Sequence, residues 1–98
     1  MRSKSYRDDL LESLKNPVEA AAYLDAALES GDRAAFLLAV KDVTDANGGV
    51  RAVAESAHLN REALYRTLSE RGNPKLTSLD SILHAVGLRL SVEPTTAG

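Results

Sequence analysis

The sequence predicts an all-α fold of five to six helices with one short C-terminal β-strand. Three observations carry this. Apolar residues recur at helical spacing in successive segments of the 98-residue chain, helix start and stop signals separate those segments, and one stretch alone, Leu88 to Val92, alternates apolar with polar residues. A length of 98 residues suits one domain, and 44% hydrophobic content suffices for a single core.

The elements follow in order. Between Ser5 and Lys15, Tyr6, Leu10 and Leu14 recur every four residues and Leu11 widens the stripe, which predicts a short amphipathic helix with an acidic polar face at Asp8, Asp9 and Glu12. Asn16 is a suitable N-cap, Pro17 suits the first helical position and Glu19 falls three residues after the cap, so a second helix runs from Pro17 to Ser30. Its inward face is Ala20, Ala21, Leu24, Ala27 and Leu28, where the alanines permit close helix approach. Gly31 ends it, and Asp32 caps a third helix from Arg33 to about Asn47, with Phe36, Val40 and Val43 along one side and Leu37 and Thr44 beside them. Gly48-Gly49 closes that helix. These divisions place N-terminal helices at residues 5–30, a core at 33–86 and a strand at 88–92.

The stretch that organises the chain is Val50 to Leu68, two short helices joined by a tight turn. Val50, Val53, Ala54 and Ala57 fall at i, i+3, i+4 and i+7, and Ala54 is small enough to let a second helix cross close by. His58 and Leu59 form the turn, and Asn60 offers its side-chain oxygen to the N–H groups that open the next helix. Leu64 and Leu68 anchor that helix inward. Arg61, Glu62, Tyr65, Arg66 and Ser69 remain on its outer face, a polar set dense in hydrogen-bonding groups. The same periodicity also fits a plain helical hairpin with a solvated polar face.

Gly72, Asn73 and Pro74 mark a turn over Glu70 to Lys75. Thr77-Ser78-Leu79-Asp80 fits a capping box opening a helix to Val86, with Leu79, Ile82, Leu83 and Val86 inward and Gly87 as the stop. Lys75 beside this helix start suits a phosphate contact, although a plain capped helix accounts for the same residues. A lone strand at 88–92 leaves its backbone groups unpaired. It therefore predicts antiparallel pairing with the same strand of a second copy through Leu88, Leu90 and Val92, with a partner protein's sheet edge or packing as an unpaired tail as the alternatives. Thr95 to Gly98 reads as disordered.

Charge and composition narrow the function. The formal charge is −2, but its distribution is uneven: residues 1–47 are net −3, residues 48–75 net +2 and residues 76–98 net −1. The basic excess coincides with the helix pair, as binding to the phosphate backbone requires, while the acidic N-terminal half is either a solvated face or a surface for a basic partner. There are no cysteines, so disulfides and thiolate zinc sites are excluded and a reducing compartment is expected. The longest apolar run, Ala34 to Val40, is too short for a membrane span, and Met-Arg-Ser-Lys is not followed by a signal-peptide apolar block, so a cytoplasmic location is expected. His58 and His84 have no metal-site spacing, and neither a nucleophile motif nor a phosphate-cradling glycine loop is present. No enzyme, metal or cofactor is expected.

The offsets of Ala54, Leu59 and Leu64 make Arg33 to Val86 resemble the helix-turn-helix of the Cro and phage-repressor family, with His58 where that motif usually has glycine. Histidine tolerates the positive φ of such a turn better than a branched residue. A resemblance over most of the chain rests on GGVRAVAESAHLNREALYRTLSERGNPKL and SLDSILHAVGLRLSV, which look like the small HigA-type antitoxins of toxin-antitoxin operons. GNPKL and GLRLSV are its most telling pieces. That resemblance implies a lambda-repressor-like bundle, a homodimeric repressor of its own operon, and neutralisation of a small basic RelE/ParE-type toxin.

Carried over by position, base contacts fall on Arg61, Glu62, Tyr65 and Arg66, and backbone contacts on Asn60, Lys75, Thr77 and Ser78, with Ser69 on the same face. The chemistry is apt: arginine donates bidentately to guanine, glutamate accepts from cytosine, and tyrosine packs on a thymine methyl or bonds to phosphate. Two such helices about 34 Å apart in a dimer would read an inverted repeat on double-stranded DNA. A stand-alone prophage-type regulator and a helical protein-binding adaptor are the alternatives.

Overall fold

The computed structural model describes residues 5–69 and 71–95 and contains six helices: α1 (Tyr6–Ser13), α2 (Pro17–Glu29), α3 (Arg33–Ala46), α4 (Gly49–Ala57), α5 (Arg61–Thr67) and α6 (Leu76–Ala85). Local signals set most of the boundaries. Ser5 and Asp8 form a reciprocal capping box at the start of α1. Asn16 accepts from the N–H groups of Val18 and Glu19 ahead of Pro17, and Asp32 accepts from those of Ala34 and Ala35.

One cluster of buried side chains draws on α2 to α6 and on Leu14 and Leu68 just beyond α1 and α5, with Leu10 and Leu11 of α1 packed partly buried against it: Leu24, Val40, Val43, Val50, Val53, Leu64, Ile82 and Leu83 are among its other members. α3 is its axis. It packs against α1, α2 and α4, and α4 in turn packs against α5 and α6. Two polar devices tie α1 to α3. The Asn47 side chain donates to the carbonyls of Val43 at 2.8 Å and Leu14 at 3.5 Å. The second device centres on Asp42, a buried carboxylate that accepts from Arg7 at 3.1 Å and from the Tyr23 hydroxyl at 2.7 Å, while Arg7 also reaches Asp45 at 2.8 Å. Such burial needs these partners, because an unpaired carboxylate away from water is costly. The hydrogen bond to Asp42 raises the pKa of the Arg7 guanidinium further, and partial burial followed by the Asp42 bond pushes the Tyr23 phenol up to about 12.

The structure differs from the sequence expectations at four places. First, no strand forms over residues 88–92, and none occurs among the described residues. Instead α6 ends in a Schellman closure: Gly87 takes φ +84°, its N–H donates to His84 O, and the Leu88 N–H donates to Leu83 O at 2.8 Å. Leu88 folds back on the core, and the alternation that suggested a strand has no second strand among the described residues to pair with. Second, α6 starts at Leu76, after Lys75, with no side-chain cap, so Thr77 and Ser78 lie inside its first turn rather than in a Thr77–Asp80 capping box. Third, Leu28 lies exposed at the end of α2 instead of inward. Fourth, Tyr6 lies exposed at the start of α1. Glu70 of the expected turn and the expected disordered tail beyond Thr95 lie outside the described residues.

Candidate nucleic-acid interface

α4 presents Val50, Val53 and Ala54 to the core and leaves Arg51, Ala52, Glu55 and Ser56 exposed. Its end has the same hydrogen-bond pattern as the end of α6, with histidine in place of glycine. His58 adopts φ +58°, ψ +41°, its N–H donates to Glu55 O at 3.2 Å, and the Leu59 N–H donates to Ala54 O at 2.9 Å. The small Ala54 thus supplies both the carbonyl that closes the turn and the gap that lets α5 approach. Leu59 packs on the core, and the Asn60 Oδ1 accepts from the Ala63 N–H at 3.0 Å, fixing where α5 begins.

α5 is only two turns long. Leu64 is buried within it and Leu68 just beyond it, which fixes the rotation of the helix about its axis. With those two inward, Arg61, Glu62, Tyr65, Arg66 and Ser69 are all exposed, Tyr65 at 55%. No hydrogen bond or ion pair among the described residues engages the side chains of Arg61, Glu62, Tyr65 or Arg66. Their donors and acceptors are available to a ligand. Ser69 is partly committed, because its hydroxyl donates to Arg66 O at 2.7 Å and helps close the carboxyl end of the helix.

Beyond α5 the chain turns back tightly. Gly72 is buried, its N–H donates to Ser69 O at 2.8 Å, and it lies directly against the Thr67 carbonyl, where a Cβ would have no room. This is the physical content of the glycine in GNPKL. Lys75 and Thr77 are exposed and Ser78 partly so at the amino end of α6. Because no side chain caps that end, its first N–H groups are open to an anion. The structure therefore gathers Asn60, Arg61, Glu62, Tyr65, Arg66 and Ser69 on α5 and its flanks, and places Lys75, Thr77 and Ser78 at the next helix start. Leu88, Leu90 and Val92 lie apart from both, following α6.

Comparison with known proteins places the chain in a family. The family described as "probable addiction module antidote protein" matches residues 4–94, nearly the whole chain. The protein belongs to this addiction-module antidote family. A protein of Haemophilus influenzae named only as uncharacterised is 29% identical over 85 residues, which is 87% of each chain. No solved structure matches significantly. Antidote membership implies, in general terms, a toxin as partner. No helix among the described residues is long and apolar enough to cross a membrane.

Sequence reasoning missed the Asp42–Arg7–Tyr23 group. Its signals were faint: an aspartate between Lys41 and Val43 on α3, and an arginine and a tyrosine on two earlier helices.

Proposed function

We propose that this antidote is a HigA-type, XRE-like DNA-binding antitoxin that represses its own operon and neutralises a RelE/ParE-type toxin by direct binding. In this reading α5 enters the major groove and two copies read an inverted repeat. Arg61 and Arg66 donate to guanine or phosphate, Glu62 accepts from cytosine or orients an arginine, and Tyr65 packs on a thymine methyl. Asn60, Ser69, Lys75 and the amino end of α6 with Thr77 and Ser78 hold the phosphate backbone.

The observation that carries the reading is the exposed arginine and tyrosine face of α5, unengaged among the described residues and set just after the left-handed turn at His58. The charge distribution adds support, since residues 48–75 are net +2 while residues 1–47 and 76–98 are both net negative.

The test is fluorescence anisotropy with duplex DNA from upstream of the protein's own gene. Specific retention is expected to fall steeply with salt. Arg66→Ala is expected to cost about 1–3 kcal/mol of affinity with the fold intact. If Arg61→Ala and Arg66→Ala both leave affinity unchanged, the groove assignment fails. Co-expression with the neighbouring reading frame tests the toxin half: a stand-alone regulator would retain DNA but co-purify with no small basic protein, and a protein-binding adaptor would show no salt-sensitive DNA binding.

A further inference from the structure

α1 joins the fold on different terms from the other helices. None of its 8 residues is buried, whereas α2 to α6 each bury at least one, and its Leu10 and Leu11 only pack partly buried against the core. Its start is held locally by the reciprocal Ser5–Asp8 cap, and Glu12 pairs with Lys15 just past its end. Arg7 supplies the fork that crosses from α1 to α3, reaching Asp42 at 3.1 Å and Asp45 at 2.8 Å. Both carboxylates in its grip also have a second partner outside α1. Asp42 accepts from the Tyr23 hydroxyl of α2 at 2.7 Å, and Asp45 pairs with Lys41, one turn earlier on α3, at 3.1 Å. Directly beyond α1 the chain is pinned again, because Leu14 is buried and its carbonyl accepts from the Asn47 side chain.

We propose that α1 is a clasp: it opens and recloses as a unit, hinged at Leu14 to Asn16, while α2 to α6 stay folded, and the Arg7 fork sets how often it opens. Breaking a buried ion pair is costly chiefly when it strands a charge. Here it strands none. When Arg7 leaves, Tyr23 still serves Asp42, Lys41 still serves Asp45, and water enters the vacated face of α3. A helix of 8 residues is too short to persist alone in water, so detachment and melting of α1 are one event. Elements with few buried apolar contacts are those that open below the global unfolding free energy, and α1 has the fewest buried side chains of the six.

The same arrangement makes ionic strength the control. The Arg7 side chain is 51% exposed, so dissolved ions reach the fork and screen it. Opening bares the Asp42 and Asp45 face of α3 and leaves in place the route by which α5 is held, through α4. The clasp makes no use of α5, so its test and the DNA test fail separately.

The experiment is native-state hydrogen exchange of the full chain, followed by NMR at low urea concentrations. The amides of Asp9 to Ser13 are expected to share one opening free energy, to exchange at least about tenfold faster than those of Val40 to Thr44, and to depend more weakly on urea. Arg7→Met is expected to speed α1 exchange by about tenfold or more, and Arg7→Lys, which keeps the charge without the fork, by less. Raising sodium chloride from about 0.05 M to about 0.5 M is expected to speed it about threefold in the native chain and to change Arg7→Met little. Should Arg7→Met fail to fold, the salt response of the native chain decides by itself. Amides of α1 that open with the free energy and urea dependence of α3 overturn the proposal. So does exchange graded along α1, the mark of simple fraying, or exchange that neither salt nor Arg7→Met alters.

Discussion

Gly72→Ala tests whether α5 is held by the chain that follows it. The added Cβ would lie 2.6 Å from the Thr67 carbonyl carbon and 2.9 Å from Arg66 O, and far inside contact with Thr67 O. All three atoms are backbone at the carboxyl end of α5, so no side chain can swing aside. Relief requires the turn to lift away from the helix. Overpacking of this kind costs about 1–3 kcal/mol. Lifting also stretches the Gly72 N–H···O Ser69 bond, worth about 1 kcal/mol net. The stiffer unfolded chain offsets about 0.4–1 kcal/mol. The net expectation is a loss of about 2–3 kcal/mol, or about 10–20 °C in Tm for a domain of this size. Gly31→Ala is the control: φ there is +73° but nothing lies within 4 Å of the added Cβ, so only conformational strain of about 1 kcal/mol is incurred. Thermal melts followed at 222 nm decide the matter. A Gly72→Ala protein melting within about 2 °C of the native chain, or above Gly31→Ala, would refute the close approach.

Three further substitutions follow from the same reasoning. His58→Gly should raise stability by about 0.5–1 kcal/mol in urea titrations, because a side chain is removed from a left-handed backbone position that glycine occupies without strain. Thr44→Val should stabilise by about 1 kcal/mol, since the Thr44 hydroxyl is fully buried with no hydrogen-bond partner among the described residues. Tyr23→Phe should destabilise by about 1.5–3 kcal/mol near neutral pH by removing the bond donated to the Asp42 carboxylate. The Tyr23 phenol also sets a pH dependence. Its pKa in the folded chain, about 12, lies above the ordinary 10, so its contribution is complete below pH 10 and declines as pH rises from 10 towards 12. Urea unfolding across that range should show a shallower decline for Tyr23→Phe than for the native chain.

Much of the fold was legible because its signals are local. The caps at Asn16, Asp32 and Asn60, the proline at the first position of α2 and the glycine closing α6 act on backbone groups within a few residues. The outward face of α5 was legible for a related reason: Leu64 and Leu68, four residues apart, leave one rotation of a short helix, and that rotation fixes where Arg61, Tyr65 and Arg66 point. What local pattern cannot convey is which faces acquire a neighbour. Tyr6 and Leu28 sit at helical spacing with buried residues, yet no element covers them at the edges of a small molecule. Leu88 to Val92 has the alternation of a strand, but strand formation depends on a partner backbone, and the chain spends the Leu88 N–H on closing α6. Asp42 is buried because Arg7 and Tyr23 arrive from 35 and 19 residues away, a coincidence of tertiary packing that no spacing rule encodes.

A helix of two turns cannot persist in water by itself, since nucleation consumes more order than so few hydrogen bonds return. The segment from Arg61 to Thr67 is therefore a guest of its surroundings, lent its shape by the wall that receives Leu64 and Leu68 and by the turns on either side. Whatever loosens that wall dissolves the outward arginines as an ordered surface at the same moment. Chain integrity and the capacity to present those side chains are thus a single property of this molecule.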